Sequence, residues 1–268
     1  MKRAKISYIL VDRPDSFPSF ESFAAALRHV KEVGFEGVEI NLAGPNPIDI
    51  DALVRTADSI DLPVVSLLSG SNYFSEALCL SSPRDEVRRR AVERLQGYTA
   101  LAARLGAVLV VGQMQGFLSD EPDRAAGETR IEACMRRVVE AAERNGATIA
   151  FEPVNHLQAG FNNTLSEVMA LADRIGSDRL RPMLDSFHMN VEERNTTEPI
   201  HRAGNRLAHF HLCESNGSFL GSGHLNFKPM FEALEAIRYQ GYVSLKIYRQ
   251  PWAAGAEASV TFLKELLP

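Results

Sequence analysis

The chain has 268 residues, of which 45% are hydrophobic and 24% are charged, and its formal net charge is −5. This composition is typical of globular proteins, and the lack of a basic cluster interleaved with aromatic residues argues against a nucleic-acid partner. No apolar run approaches the roughly 18 residues that a membrane-spanning helix needs, so no membrane partner is expected.

The three cysteines are scattered along the chain, at Cys79, Cys134 and Cys213. Their spacing fits neither a metal site nor a disulfide framework, and it predicts reduced thiols in a cytoplasmic protein. The first residues are basic and then apolar, but the apolar part is too short for a signal sequence and is interpreted as a first strand.

Strand-like and helix-like patterns alternate throughout the chain. The predicted strands cover residues 6–11, 37–42, 63–68, 107–112, 147–151, 180–184, 207–212 and 242–247. The predicted helices cover residues 19–33, 50–59, 83–105, 127–144, 164–175, 228–237 and 256–267, with a weak one at 198–203. A polar loop is predicted around residues 69–73, and Pro83 suits the first turn of its helix.

Eight strands that alternate with helical sequence predict an α/β fold, a single (β/α)8 TIM barrel that forms one domain over residues 1–268. The alternative is an open doubly wound sheet, which would need a glycine-rich dinucleotide-binding turn after the first strand. The chain has Asp12-Arg13-Pro14 there, so the barrel is the favoured interpretation.

Polar residues occupy inward-facing positions near the ends of the last four predicted strands. In a barrel, side chains alternate between the interior and the helix layer, and the active site lies at the carboxyl ends of the strands. With the apolar residues of these strands facing the helices, four others should meet at one point: Glu152, Asp185, His211 and Lys246. Each is separated from the next by about one strand–helix unit.

Two carboxylates and an imidazole at barrel strand ends suit a divalent cation such as Mn²⁺, Mg²⁺, Co²⁺ or Zn²⁺. One interpretation is therefore a metal site formed by Glu152, Asp185 and His211. The other is a structural ion network in which both carboxylates pair with Lys246 and with nearby arginines. The residue pattern alone leaves both interpretations open.

Several segments together carry a resemblance to a known family. They are Phe151-Glu152-Pro153-Val154-Asn155, Asn162-Asn163-Thr164, Leu184-Asp185-Ser186-Phe187-His188-Met189-Asn190, His209-Phe210-His211-Leu212-Cys213-Glu214 and Gly221-Ser222-Gly223-His224. With Gly34-Phe35-Glu36-Gly37-Val38-Glu39 at the second strand, they closely resemble the xylose isomerase-like barrels, and within them the ketose 3-epimerases of the D-tagatose/D-psicose 3-epimerase family. The likeness covers essentially the whole chain.

The resemblance implies that Glu152, Asp185 and His211 bind a divalent metal (Mn, Mg or Co), and that His188 contacts a substrate oxygen. It implies a sugar isomerase or epimerase that moves a proton next to a carbonyl, a small carbohydrate as substrate, and a homo-oligomer. In that family a carboxylate on the eighth strand is the fourth metal ligand and pairs with the fifth-strand Glu as the two acid/base groups. This sequence has Lys246 there, so Glu152 and Lys246 are the candidate catalytic residues.

Two further positions depart from the family pattern. Gln158 stands where the family has a Glu in the loop after the fifth strand, and Gly217 follows Glu214-Ser215-Asn216 where an Arg that binds sugar hydroxyls is usual. The candidate substrate-binding residues are polar groups at strand ends and in these loops: His188, Gln158, Glu214, Ser66 and Gln113.

Three outcomes are open for Lys246. A three-ligand metal persists, and Lys246 turns aside and acts as a proton donor or acceptor. Alternatively the ammonium occupies the place of the metal, and the protein is a metal-free homologue that binds a sugar or acts as a lyase or dehydratase. In the third, the lysine is an engineered or accidental change in an otherwise ordinary epimerase.

Overall fold

A computed structural model of the chain describes residues 4–44, 48–249 and 251–267. Eight parallel strands pair with their neighbours in chain order, and the last pairs with the first to close a barrel. The strands are β1 (Lys5–Leu10), β2 (Gly37–Asn41), β3 (Val64–Leu68), β4 (Val108–Val111), β5 (Thr148–Phe151), β6 (Leu180–Asp185), β7 (His209–Leu212) and β8 (Tyr242–Leu245). The predicted (β/α)8 barrel is confirmed, and the open sheet is excluded.

Ten α-helices lie within the described ranges and surround the barrel. They are α1 (Phe20–Val33), α2 (Ile50–Ser59), α3 (Ser71–Glu76), α4 (Asp85–Leu105), α5 (Arg124–Asn145), α6 (Leu165–Ile175), α7 (Ser186–Glu192), α8 (Glu198–Ala203), α9 (Lys228–Ala236) and α10 (Trp252–Leu266). Among these described helices, none is both long and apolar enough to cross a membrane.

Helix ends follow capping residues more closely than the apolar pattern predicted. Helix α1 begins after Ser19, whose hydroxyl accepts a hydrogen bond from a first-turn amide, and it ends at Gly34 with φ at 110°. Helix α5 begins three residues before the predicted start, because the Asp123 side chain caps it by accepting from the Ala126 amide. Pro83 lies before the cap of α4 and not in its first turn, so that prediction was wrong.

Two short helices on the active-site side of the barrel were missed. Helix α3 occupies most of the segment that was predicted as a polar loop at residues 69–73. Helix α7 starts directly after β6, where the Asp185 side chain accepts a hydrogen bond of 2.7 Å from the Phe187 amide. The same carboxylate that ends a strand therefore begins a helix.

The barrel interior differs in polarity from one side to the other. Beside β4, β5 and β6 it is apolar and contains Val110, Ala150 and Met183. On the opposite side it holds buried polar groups, such as Ser7 and Ser244, whose hydroxyl oxygens lie 2.5 Å apart. Buried polar groups need hydrogen-bond partners, so this side of the interior forms a connected network beneath the strand ends.

Candidate active site

Four buried side chains meet at the carboxyl ends of the last four strands, as the strand alternation predicted: Glu152, Asp185, His211 and Lys246. The Lys246 ammonium lies 3.0 Å from Asp185 Oδ2 and 3.8 Å from Glu152 Oε1. His211 Nδ1 lies 3.4 Å from Glu152 Oε1 and 3.6 Å from Asp185 Oδ2. One cation and one imidazole therefore share the same two carboxylate oxygens.

His188 enters the site from α7 and presents an N–H to it. Its Nδ1 lies 2.7 Å from the Asn155 side-chain nitrogen, which can only donate, so Nδ1 accepts and the proton of the neutral ring is on Nε2. The Asn155 oxygen accepts from the Leu157 amide, which fixes the orientation of this side-chain amide. Burial lowers the pKa of His188, which keeps the ring neutral. Its Nε2 lies 3.6 Å from Glu152 Oε1.

His211 is oriented from below by Glu39 of β2. The Glu39 carboxylate bonds His209 through one oxygen, and through the other it accepts from Ser66 at 2.8 Å and lies 3.2 Å from His211 Nε2. A ring that donates from Nε2 to Glu39 turns Nδ1 toward the carboxylates of the site. Burial raises the pKa of Glu39, but the two imidazoles lower it well below its usual value. The polar network beneath the strand ends therefore holds the His211 ring in place.

Glu39→Gln is expected to reduce activity by about 10- to 100-fold, because the amide no longer anchors His211 as an anion does. It should also lower the pKa of His211. Burial lowers this pKa, but the nearby carboxylates, with Glu39 first among them, outweigh burial and raise the pKa well above its ordinary value. Titration of the imidazole resonances by NMR measures this shift. Ser66→Ala is the matched control, since it removes one hydrogen bond from Glu39 and keeps the charge. An unchanged His211 titration in Glu39→Gln would contradict the anchoring role.

The predicted substrate-binding residues divide into two groups. Gln113 lines the cavity above the site, and His188 points its free N–H at the site. Ser66 does not line the cavity, because it lies one layer deeper and donates to Glu39. Gln158 also lies outside the cavity lining.

Glu214 is fully buried beneath the loop that follows β7 and does not line the cavity. Its carboxylate accepts from the backbone amides of Ser215 at 2.7 Å, Gly221 at 3.1 Å and Leu225 at 3.2 Å. These bonds use the oxygens that a sugar would need. In the described structure Glu214 therefore organises the loop, and its role as a substrate contact stays a prediction.

A cavity of about 410 Å³ opens above Lys246, a size common for small-molecule sites. Its lining includes residues that sequence reasoning missed, among them Asp12, Arg13, Asn41 and Tyr248. The Tyr248 ring centroid lies 5.0 Å from Lys246 Nζ. Tyr248 follows Lys246 by two positions, so the inward alternation of β8 extended past the strand end would have pointed to it.

Gly112, directly after β4, leaves the space that the Glu152 side chain occupies. A Cβ at this position would overlap Glu152 Oε2 and would also crowd Val154. Gly112→Ala is therefore expected to displace the carboxylate and to lower kcat/KM at least about tenfold, because a displacement near 1 Å at a reacting group is costly. Gly97→Ala in α4 is the control, since a Cβ there contacts nothing within 4 Å. Steady-state kinetics of both variants tests this, and equal activities would contradict it.

Two groups of buried side chains in the described ranges have ligand atoms within 4.8 Å of one another: Glu39, His209 and His211, and Glu152, Asp185 and His188. Three atoms at the point where Glu152, Asp185 and Lys246 meet, namely Glu152 Oε1, His188 Nε2 and His211 Nδ1, have no hydrogen-bond partner among the described residues. Buried atoms of this kind call for an occupant.

The position of Lys246 decides whether that occupant can be a divalent ion. An ion bound at about 2.2 Å from Asp185 Oδ2 would lie at most about 5 Å from the ammonium, given the 3.0 Å between Nζ and this oxygen. At that separation the two cations repel by about 6 kcal/mol at an effective dielectric constant of about 20. With the Lys246 ammonium at this position, the predicted ligands Glu152, Asp185 and His211 do not fit a divalent metal in addition to the ammonium.

Comparison with known proteins shows where this geometry belongs. Residues 27–266 match the family model described as xylose isomerase-like TIM barrel. The chain belongs to the xylose isomerase-like TIM barrel family. The resemblance found in the sequence motifs is therefore confirmed, and so is the fold that it implied.

Named members of this family include sugar epimerases. An L-ribulose 3-epimerase from Mesorhizobium japonicum is 31% identical over 227 residues, which cover 83% of this chain and 74% of that protein. A D-psicose 3-epimerase from Enterocloster bolteae is 34% identical over 249 residues, which cover 90% and 82%. The crystal structure of a D-allulose 3-epimerase from Methylomonas sp. superposes with a TM-score of 0.85 at 25% identity, covering 100% of this chain and 99% of that one. These relatives confirm the prediction of an isomerase- or epimerase-type enzyme.

Proposed function

We propose that this xylose isomerase-like barrel is an isomerase or epimerase that removes a proton from the carbon next to the carbonyl of a keto-sugar. The observation that carries the proposal is Glu152 Oε1, a buried carboxylate oxygen without a hydrogen-bond partner in the described structure. It lies beside two N–H donors, His188 Nε2 at 3.6 Å and Lys246 Nζ at 3.8 Å. Enolisation of a carbonyl compound needs a base for the C–H proton beside groups that donate hydrogen bonds to the carbonyl oxygen.

The relatives support the substrate class. Ribulose, psicose and allulose are named as substrates of 3-epimerases, and carbon 3 of a 2-ketose is bonded to the carbonyl carbon. A C–H bond in that position is acidic enough for a carboxylate to act on once the carbonyl oxygen is stabilised. A cavity of about 410 Å³ suits a sugar of five or six carbons.

In the proposed reaction, His188 and Lys246 donate hydrogen bonds to neighbouring oxygens of the keto-sugar. Glu152 takes the proton from carbon, the electron pair of the C–H bond forms a carbon–carbon double bond, and the π electrons of the carbonyl move to its oxygen to give an enediolate. The Lys246 ammonium stabilises this negative charge, because an oriented cation in a site shielded from water acts strongly on it. Delivery of a proton from Lys246 to the opposite face gives an epimer, after which the proton held by Glu152 passes to Lys246 and restores both groups. Return of the proton by Glu152 to the neighbouring carbon gives an isomer.

Binding of the sugar would also make Glu152 a better base. Burial raises the pKa of Glu152, but Lys246 and the two imidazoles outweigh burial and lower the pKa to about 2. A sugar oxygen that takes hydrogen bonds from Lys246 weakens the attraction between the ammonium and Glu152. The carboxylate therefore gains basicity when the substrate is in place.

Turnover in heavy water tests this function. We expect L-ribulose, D-psicose, D-tagatose or D-fructose to incorporate deuterium at carbon 3 and to yield the 3-epimer, as read by NMR and mass spectrometry. An aldose product with deuterium at carbon 2 would indicate isomerisation. No exchange with any ketose, with and without Mn²⁺, would contradict the proposal and favour a protein that only binds sugar.

Several other features are also proposals that follow from the sequence. They are a single domain over residues 1–268, a homo-oligomeric assembly, a cytoplasmic location and the lack of a nucleic-acid partner. A small carbohydrate is the partner on which the function depends.

A further inference from the structure

The candidate active site has its own cation. Asp185 is fully buried, Glu152 is 3% exposed and Lys246 is 9% exposed. Buried carboxylates need a compensating positive charge, and the Lys246 ammonium lies within ion-pair distance of both. With one positive and two negative side chains, the three groups together carry a single net negative charge.

We propose that the Lys246 ammonium is the resident cation of this site, and that proton transfer proceeds without a divalent metal bound to Glu152, Asp185 and His211. The inference rests on the proposed function for its chemistry. Its test does not depend on that function, because metal binding can be measured without turnover.

The backbone holds Lys246 in this place. The Lys246 amide donates to the Leu212 carbonyl at 2.9 Å, which continues the pairing of β7 with β8 past the strand end. Val243, Leu245 and Ile247 are buried in the core on the other face of the strand. Because alternate positions point to opposite faces, Lys246 must point inward, like Ser244. Its ammonium then lies within ion-pair distance of both carboxylates and 5.0 Å from the centroid of the Tyr248 ring.

Charge balance distinguishes the two possible occupants. A divalent ion added to the two carboxylates and the ammonium would leave a net positive charge in a buried site, with the two cations close together. With glutamate at position 246, three carboxylates and a divalent ion would restore a single net negative charge. Hard divalent ions prefer carboxylate ligands, so Lys246→Glu should create the metal site that the wild-type chain lacks.

The test measures metal bound to the intact protein. Wild-type, Lys246→Glu and Lys246→Gln chains are purified without chelator, incubated with Mn²⁺, passed through a desalting column and analysed by elemental mass spectrometry. We expect less than about 0.1 equivalent of Mn²⁺ on the wild type and close to one equivalent on Lys246→Glu. Lys246→Gln is the matched control, since it removes the positive charge without adding a carboxylate, and it should bind more weakly than Lys246→Glu.

One equivalent of Mn²⁺ on the wild type that is lost in Asp185→Asn would overturn the inference. If Lys246→Glu does not fold without metal, recovery of its melting transition on addition of Mn²⁺ would support the inference, and the wild-type measurement decides in either case. Failure of the proposed function would appear separately, as a lack of deuterium exchange. Where exchange is found, excess EDTA should change its rate by less than about twofold, because no bound metal supplies the cation.

Discussion

Glu152→Gln is expected to lower kcat by about 100- to 10,000-fold, the range that general-base groups contribute, while KM changes little. Glutamine keeps the shape of the side chain but cannot take a proton from carbon. The wild-type carboxylate is ionised in the free protein, since its pKa is held at about 2. Steady-state kinetics with a ketose that the wild type converts provides the measurement.

A carboxylate outside the cavity serves as control for this substitution. Glu192 of α7 accepts from the His156 amide at 2.6 Å and does not line the cavity, so Glu192→Gln should stay within about twofold of wild-type activity. If Glu152→Gln kept more than about a tenth of the wild-type kcat, another group would have to be the base.

Asp185→Asn is expected to lower the free energy of unfolding by about 3 kcal/mol, because it removes the nearest anion of a buried ammonium. The asparagine oxygen can still accept from the Phe187 amide, so the start of α7 should persist. Chemical denaturation followed by circular dichroism gives the free energy of unfolding.

A second substitution shows whether the ion pair is the cause. Asp185→Asn combined with Lys246→Met should recover at least half of the lost stability, since methionine is similar in shape and removes the unpaired charge. A double variant as unstable as Asp185→Asn alone would show that the loss of stability does not come from the broken ion pair.

The stability difference between wild type and Asp185→Asn should also depend on pH. Burial raises the pKa of Asp185, but Lys246 and the two imidazoles lower it well below its ordinary value. A lowered pKa in the folded state stabilises the protein above the unfolded-state pKa of about 4, and this stabilisation is lost as the pH falls further through the folded-state value. The difference should therefore be constant from about pH 5 to 8 and shrink below about pH 4, as denaturation across this range would show.

The strand pattern was sufficient to predict the fold and the meeting point of the site. Alternation in β5, β7 and β8 separates apolar residues from Glu152, His211 and Lys246, and in a closed barrel the inward residues at the strand ends must converge. This argument uses only the periodicity of side chains and the closure of the sheet. Both are properties of the sequence pattern and the chain topology.

Depth along the barrel axis was not predictable in the same way. Ser66 and Glu39 lie one layer below the site and bond each other. Glu214 is polar and near the site, yet its oxygens are used by the backbone amides of its own loop. Such hydrogen bonds depend on the path of the loop in space, which residue spacing does not reveal.

The choice between a metal and an ammonium also required the structure. A lysine has a long flexible side chain, so the sequence allowed it to turn aside from the carboxylates or to pair with them. The distance of 3.0 Å between Nζ and Asp185 Oδ2 shows that it pairs.

The two oxygens of Asp185 act on different parts of the molecule. Oδ2 binds the Lys246 ammonium, and Oδ1 accepts from the Phe187 amide at the start of α7, the helix that carries His188. A change in the residue at position 246 is therefore expected to affect the position of His188 as well. During divergence of this family, substitutions at positions 188 and 246 would be epistatic. The effect of a substitution at one position on substrate orientation would then depend on the residue at the other.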